Sequence, residues 1–388
     1  MSIKFPLATA TWGQNEQDAM QRVIASGMYT MGANVQAFEC DFAKYVRSKH
    51  CVMVNSGSSA ILLMVAALFY TKNPLLKLNR GDEVVVPAVS WSTTYYPLYQ
   101  YGLRIKFVDI DLNTLNYDLN QLEQAVTDKT RAIMAVNLLG NPNDFGRIQR
   151  IIGGRNIVLM EDNCESMGAK YEGKHAGTFG VMGGFSSFFS HHISTMEGGL
   201  IVTDDEEIYQ ILLSLRAHGW TRNLPKHNLV CSDKSDDPFE ESFRFVLPGY
   251  NVRPLEIEGA LGVEQVKRLP SLIAARRENG KLLQAVMSNH PELIMQQEIG
   301  ESSWFGFSLV IRPDSKLNRK ELVIQLNELG FECRPIAAGN FAKNEVVKYF
   351  DSEVHGTLKN AEHIDQNGLF VGNHHYPIPD VFMALAKI

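Results

Sequence analysis

Cys51–Tyr70, CVMVNSGSSAILLMVAALFY, is the stretch that sets the architecture. Cys51–Val54 is a short apolar run. Asn55-Ser56-Gly57-Ser58-Ser59 breaks it with turn residues, and Ala60–Tyr70 is apolar on every side of a helix. The pattern predicts a strand, a tight Gly/Ser turn and a buried helix.

Downstream the same alternation repeats. Glu83–Ala88 and Ile105–Ile110 read as β-branched strands, Leu119–Val126 as a helix, Ala132–Leu139 as a strand and Asp144–Ile152 as a helix. Ile157–Glu161 is a strand that runs into Asp162, Leu200–Thr203 another, and Asp204–Leu215 a helix with acidic residues in its first turn, where they suit the helix dipole. Strand alternating with helix indicates βα units around a mostly parallel sheet. Upstream, helical patterns cover Glu16–Ser26 and Ala37–Val46.

The rest of the chain has a different texture. Arg216–Asn251 is polar, aromatic and aperiodic, a length of loop that is usually functional or disordered. Pro254–Val266 begins a helical passage that continues through Arg276–Val286. An alternating strand at Ser303–Arg312, a helix at Arg319–Leu329, a strand at Gly330–Arg334, a loop at Tyr349–Gly356 and a helix at Ala361–Asn367 follow. The expected division is a large domain over 1–265 and a smaller α+β domain over 266–388, within an overall α/β fold class.

The chain has 388 residues, 45% apolar and 21% charged, with a net charge of −6. That balance argues against nucleic acid or an anionic membrane as the main partner. No apolar run approaches the ~20 residues of a membrane span, and the N-terminus shows no signal-peptide pattern. Cys40, Cys51, Cys164, Cys231 and Cys333 form no CxxC pair and fit neither a disulfide framework nor a zinc site, so a cytoplasmic location and no metal are expected.

Four features carry candidate chemistry. Ser56-Gly57-Ser58-Ser59 stands at a strand-to-helix junction, where free N–H groups bind phosphate; a simple helix cap is the plainer reading. Asp162 ends a central strand, at the crevice where α/β folds bind ligands, or else caps the next segment. Trp91, just past a strand end, can stack on a planar ring or simply pack. His191-His192 can move a proton near neutral pH or be structural, and adjacent histidines are poorly placed to share a metal. No GxGxxG motif accompanies them.

These features occur in the order of a vitamin-B6 enzyme. Ser90–Pro97 (SWSTTYYP), Glu161–Ala169 (EDNCESMGA), Ser190–Gly199 (SHHISTMEGG), Arg216–Pro225 (RAHGWTRNLP), Phe245–Glu256 (FVLPGYNVRPLE) and Phe370–His374 (FVGNH) resemble the sugar-aminotransferase branch of the aspartate aminotransferase fold-type, over nearly the whole chain. The likeness is closer still to the dehydratases of that branch, which act in dideoxysugar (colitose) biosynthesis. It implies a large domain with a mostly parallel mixed sheet plus a smaller C-terminal domain, and pyridoxal or pyridoxamine 5'-phosphate as a non-covalently held cofactor. By position it implies that Gly57, Ser58 and Ser186 hold the phosphate, Trp91 stacks on the ring, Asp162 pairs with the ring nitrogen and Glu165 reaches the ring hydroxyl. Asn251 would reach the phosphate of the other subunit, which implies a homodimer with shared sites. His218, Arg222, Phe243, Glu332 and Arg334 would serve the sugar nucleotide.

One departure decides the expected reaction. In the family a lysine precedes Glu-Gly-Gly; the matching position here is His191, and no lysine occurs from Ala176 to Pro225. A slip of one residue would select His192 instead. A histidine keeps the proton transfer and drops the covalent anchor. The implied activity is C3 dehydration of GDP-4-keto-6-deoxy-D-mannose with release of ammonia, the amino group being restored from L-glutamate. A sugar-nucleotide 4-aminotransferase and a non-catalytic binding protein are the alternatives. A reductase-coupled iron–sulfur route, used by related enzymes on CDP-sugars, needs cysteine ligands near the site, where only Cys164 and Cys231 lie mid-chain.

Overall fold

The computed structural model describes residues 3–386 and 388. In chain order the strands are β1 (His50–Val54), β2 (Glu83–Pro87), β3 (Arg104–Val108), β4 (Thr130–Val136), β5 (Val158–Asp162), β6 (Met182–Ser186) and β7 (Gly199–Thr203). They continue with β8 (Leu293–Ile294), β9 (Gly306–Ile311), β10 (Cys333–Arg334), β11 (Ser352–Val354) and β12 (Gly368–Gly372); two short two-residue ladders decorate loops. The main helices are α1 (Gln14–Ser26), α2 (Ala33–Val46), α3 (Gly57–Tyr70), α4 (Ser92–Gln100), α5 (Leu119–Ala125) and α6 (Phe145–Ile152). After them come α7 (Glu206–Arg216), α8 (Glu256–Met287), α9 (Arg319–Glu328), α10 (Lys359–Asn367) and α11 (Pro379–Leu385).

An eight-stranded sheet in the order β1-β7-β6-β5-β4-β2-β3-β11 forms the centre. Every strand runs the same way except β7, which is antiparallel to both β1 and β6. All five residues of β2, β5, β6 and β7 are buried, as expected for strands covered on both faces. α3 packs against this sheet with nine buried residues, which is why its sequence shows no polar face. Among the described residues no helix is long and apolar enough to cross a membrane.

The second layer is a four-stranded antiparallel sheet, β8-β9-β12-β10, with a core of its own that includes Trp304, Phe307, Leu322, Val371 and Phe382. α8 runs 32 residues along the molecule, and position 265 lies within it.

Three elements differ from the sequence expectations. The stretch 349–356, expected as loop, contains β11, which pairs in parallel with β3 at the edge of the large sheet. Three residues are too few to show alternation, and what fixes them is electrostatic: Lys106 bonds Glu83 at 2.7 Å and Glu353 at 3.2 Å. α4 was not visible because β-branched, aromatic and proline residues (STTYYPLYQ) are poor helix formers. β6 was hidden by Gly183-Gly184.

Candidate active site

The C-terminal ends of β1, β2, β4, β5 and β6 all open on one cavity of about 660 Å³, closed on its far side by residues 305, 334, 335, 337 and 370 from the second layer. This is where ligands lie in open parallel sheets. Gly57, Ser58, Trp91, Asp162, Glu165, Ser186, His191 and Arg334 all line it.

At the end of β1 the chain turns directly into α3. Ser56 caps the helix by accepting the Ser59 N–H at 3.1 Å, and Ser59 donates its hydroxyl to Asn55 at 2.7 Å. The first N–H groups of a helix have no intrahelical partner and suit an anion. Space here depends on glycine. A Cβ on Gly57 would stand 2.7 Å from the Ser186 Cβ, and one on Gly199 would stand 2.1 Å from the Ser56 carbonyl oxygen. Gly199 therefore lets β7 begin against the turn, which explains the Glu-Gly-Gly signature physically.

Asp162 is buried at the end of β5 and held from two sides. Its Oδ2 accepts the Thr94 hydroxyl at 2.7 Å and its Oδ1 the Cys164 N–H at 3.1 Å; Thr94 is itself paired with the Ser90 hydroxyl. Glu165 lies three residues on. Burial, with Asp162 adding repulsion, pushes its carboxyl up to about 7, although the Leu139 N–H donates to it at 3.0 Å. Trp91 stands at the rim, 59% exposed for so large a side chain. Such a ring is free to cover a planar ligand.

The two histidines part company. His191 lines the cavity, its ring edge-on to Phe305 at 5.1 Å. Its Nδ1 is buried without a partner, which leaves Nε2 as the nitrogen open to the cavity. Burial first, and then the Arg276 charge, depress its pKa to about 4. His192 is fully buried, with Nε2 3.1 Å from the Ser303 carbonyl oxygen. Geometry thus puts His191, and not its neighbour, in the cavity.

Five expected residues lie elsewhere. Glu332 stands behind Arg334, bonding its guanidinium at 2.8 Å and accepting the Leu7 N–H at 3.1 Å. His218, Arg222, Phe243 and Asn251 gather around Trp220, outside the cavity of their own chain. The Arg222 guanidinium lies 4.4 Å from the Trp220 ring, with the His218 and Phe243 rings at 4.6 and 6.2 Å. Asn251 accepts from Arg253, which also faces Trp220. The sequence reading missed other lining residues: Thr93, Asn137, Ser190, Glu197, Phe305 and Phe370. Ser190 and Glu197 flank the histidine pair and could have been found from that position; Phe305 and Phe370 come from a distant sheet and left no signal.

The arrangement suits a flat, phosphorylated ring: anion-binding N–H groups at one end, a buried carboxylate on the far side, and a tryptophan free to cover one face. Among the described residues none that lines the cavity is a lysine.

Residues 11–376 match the model of the DegT/DnrJ/EryC1/StrS aminotransferase family. The chain is 64% identical over 387 residues to a GDP-4-keto-6-deoxy-D-mannose 3-dehydratase of Escherichia coli O55:H7, covering 100% of this chain and 99% of that one. A solved structure of the E. coli GDP-4-keto-6-deoxy-D-mannose 3-dehydratase with bound hydrated PLP superposes with a TM-score of 0.98 at 62% identity, covering 100% and 99% of the two chains. A structure of a GDP-4-keto-6-deoxymannose 3-dehydratase with a trapped PLP–glutamate geminal diamine gives 0.97 at 62% identity, with 99% of each chain covered.

Proposed function

The chain belongs to the DegT/DnrJ/EryC1/StrS aminotransferase family, and from that premise we propose that it is a pyridoxal/pyridoxamine phosphate-dependent dehydratase that removes the C3 hydroxyl of GDP-4-keto-6-deoxy-D-mannose. The product is GDP-4-keto-3,6-dideoxy-D-mannose, a colitose precursor for lipopolysaccharide O-antigen. Ammonia is released, and L-glutamate restores the amino group. The observation that carries this reading is a histidine, and no lysine among the described residues, at the cavity wall.

When bound, the cofactor supplies an amino group that condenses with the C4 ketone and a ring that accepts and returns electrons as the C3 hydroxyl leaves. The protein supplies the rest. The N–H groups at Gly57 and Ser58, with the Ser186 hydroxyl, hold the phosphate. Trp91 covers the ring, and Asp162, locked by Thr94 and Cys164, holds the proton of the ring nitrogen. Glu165, whose carboxyl burial pushes up to about 7, can donate to the ring oxygen in its protonated form. His191 takes a proton on Nε2, and its neutral state at pH 7 makes it a base from the start.

The working unit in this reading is a cytoplasmic homodimer. Its support is the cluster of exposed Phe243 and Phe245 around half-buried Trp220, with Arg222 and Asn251, which lies outside its own cavity and would complete the partner's sugar-nucleotide site.

The test is product analysis with L-glutamate and GDP-4-keto-6-deoxymannose, paired with borohydride treatment of the protein carrying PLP. A 3-deoxy sugar, free ammonia and no pyridoxyl-lysine are expected. A 4-amino sugar as sole product, or a covalent pyridoxyl-lysine, would overturn the reading.

A further inference from the structure

A buried guanidinium stands behind the histidine wall. Arg276, on α8, is 3% exposed. Its Nη1 donates to the carbonyls of Phe305, at 3.1 Å, and Asn373, at 2.9 Å, the residues just before β9 and just after β12. The Asn373 amide returns a bond to the Arg276 carbonyl at 3.1 Å, so helix and sheet are clamped in both directions. Arg276 forms no ion pair among the described residues, burial alone lowers its pKa to about 10, and its Nε has no partner. A buried cation without a carboxylate is costly. Structural clamping could be done by a neutral amide, so the retained charge needs a reason.

The charge has a consequence at the cavity. Phe305 is the ring against which both His191 and His192 pack, at 5.1 and 5.7 Å. After burial, Arg276 is the next cause of the depressed pKa of His191, His192, His374 and His375. Asp162 at the end of β5, Cys164 and Glu165 just after it, Glu197 on the histidine's own segment and Arg334 on β10 share the cavity, but the charge acting on His191 is that of Arg276.

We propose that Arg276 is a positioning residue for the proton transfer at His191: it fixes the Phe305 wall behind the imidazole and sets a permanent positive charge there. The inference rests on the dehydratase reading. In function, the charge adds to burial in keeping His191 unprotonated between turnovers, so that it meets each substrate as a base.

The test compares R276K, which keeps the charge, with R276M, which removes it. Base catalysis needs the neutral imidazole, so activity falls as pH drops through its pKa. Removing the cation raises that pKa and moves the fall to higher pH. For R276M, the acid limb of the kcat profile should move up by about 1 pH unit, with R276K close to wild type. Independently of turnover, NMR of 13C-labelled histidine in the full-length protein, with and without its cofactor, should show the His191 midpoint moving the same way. If R276M does not fold, R276Q carries the same comparison. A His191 midpoint unchanged by loss of the charge overturns the proposal, even if kcat and thermal stability fall at every pH, because that is the pattern of a clamp alone. Failure of the dehydratase reading would look different: wild-type protein would form no 3-deoxy sugar while the His191 titration could still be measured.

Discussion

Asp162 and Trp220 both stand in candidate binding regions, yet their surroundings are opposite in kind. Asp162 is buried at a strand end with two donors fixed on its oxygens. Trp220 is met by side chains from an aperiodic loop and the residues just after it: Arg222 and Arg253 against its face, with Phe243 and Phe245 beside it at 69% and 56% exposure. The first region is a receptor built by the sheet, with walls, floor and charge supplied by one chain. The second, in the proposed homodimer, would be a half-site, with a platform and no floor of its own. The difference assigns them different tasks. A small cofactor and a proton transfer need the rigid region, where sub-ångström placement matters. A large nucleotide can be gripped by a surface that closes only when a second copy covers it.

The largest effect should come from the rigid region. His191→Asn removes the base while filling nearly the same space. It should lower kcat for dehydration by roughly 10²–10⁴-fold, with cofactor binding and melting temperature close to wild type. Steady-state product assays and thermal unfolding check both halves. If H191N kept most of its activity, the base would lie elsewhere and the comparison would lose its first term.

How much of this was legible beforehand follows from the same contrast. Strand ends write short, local signatures. The turn at Ser56–Ser59, Asp162 at the end of its apolar strand and Glu197-Gly198-Gly199 could each be found in the sequence, and each contributes at least one residue to the cavity. Phe305, Phe370 and Arg276 come together only through the antiparallel pairing of β9 with β12 and the clamp from α8, so no local pattern announces them. The choice between His191 and His192 turned on which way a loop residue faces, which spacing alone does not fix. β11 escaped notice because its place depends on Lys106, Glu83 and Glu353 meeting across 270 residues of chain.

A smaller effect should mark the half-site. Trp220→Ala removes the surface on which Arg222 and Arg253 rest. Loss of such a contact is worth about 1–2 kcal/mol, so KM for the sugar nucleotide should rise roughly 10-fold. The half-reaction with L-glutamate, which does not need the nucleotide, should keep its rate. Separate single-turnover measurements of the two halves decide it. Equal losses in both would mean that Trp220 supports the cofactor end, and the division of labour drawn above would fail.

The smallest effect is one of sign, and it separates the regions most cleanly. Glu165 faces the cavity, where burial raises its pKa to about 7, with the Asp162 charge adding to it. Its folded form holds a proton that the unfolded chain gives up near 4.5. The stability it contributes is therefore complete below pH 4.5 and is lost as pH rises through 7. Glu241, in the exposed loop, is the reverse: hydrogen bonds from Thr221 and then Arg244 lower its pKa to about 2. Its contribution is present above pH 4.5 and is lost as pH falls toward 2. In the cofactor-free protein, E165Q should thus gain in melting temperature relative to wild type between pH 4.5 and 7 and then level off. E241Q should be the less stable protein at neutral pH, with the gap closing in acid. Parallel curves for the two variants would mean that cavity and loop are electrostatically alike, and that the contrast between a sheet-built receptor and an open half-site does not reach their charges.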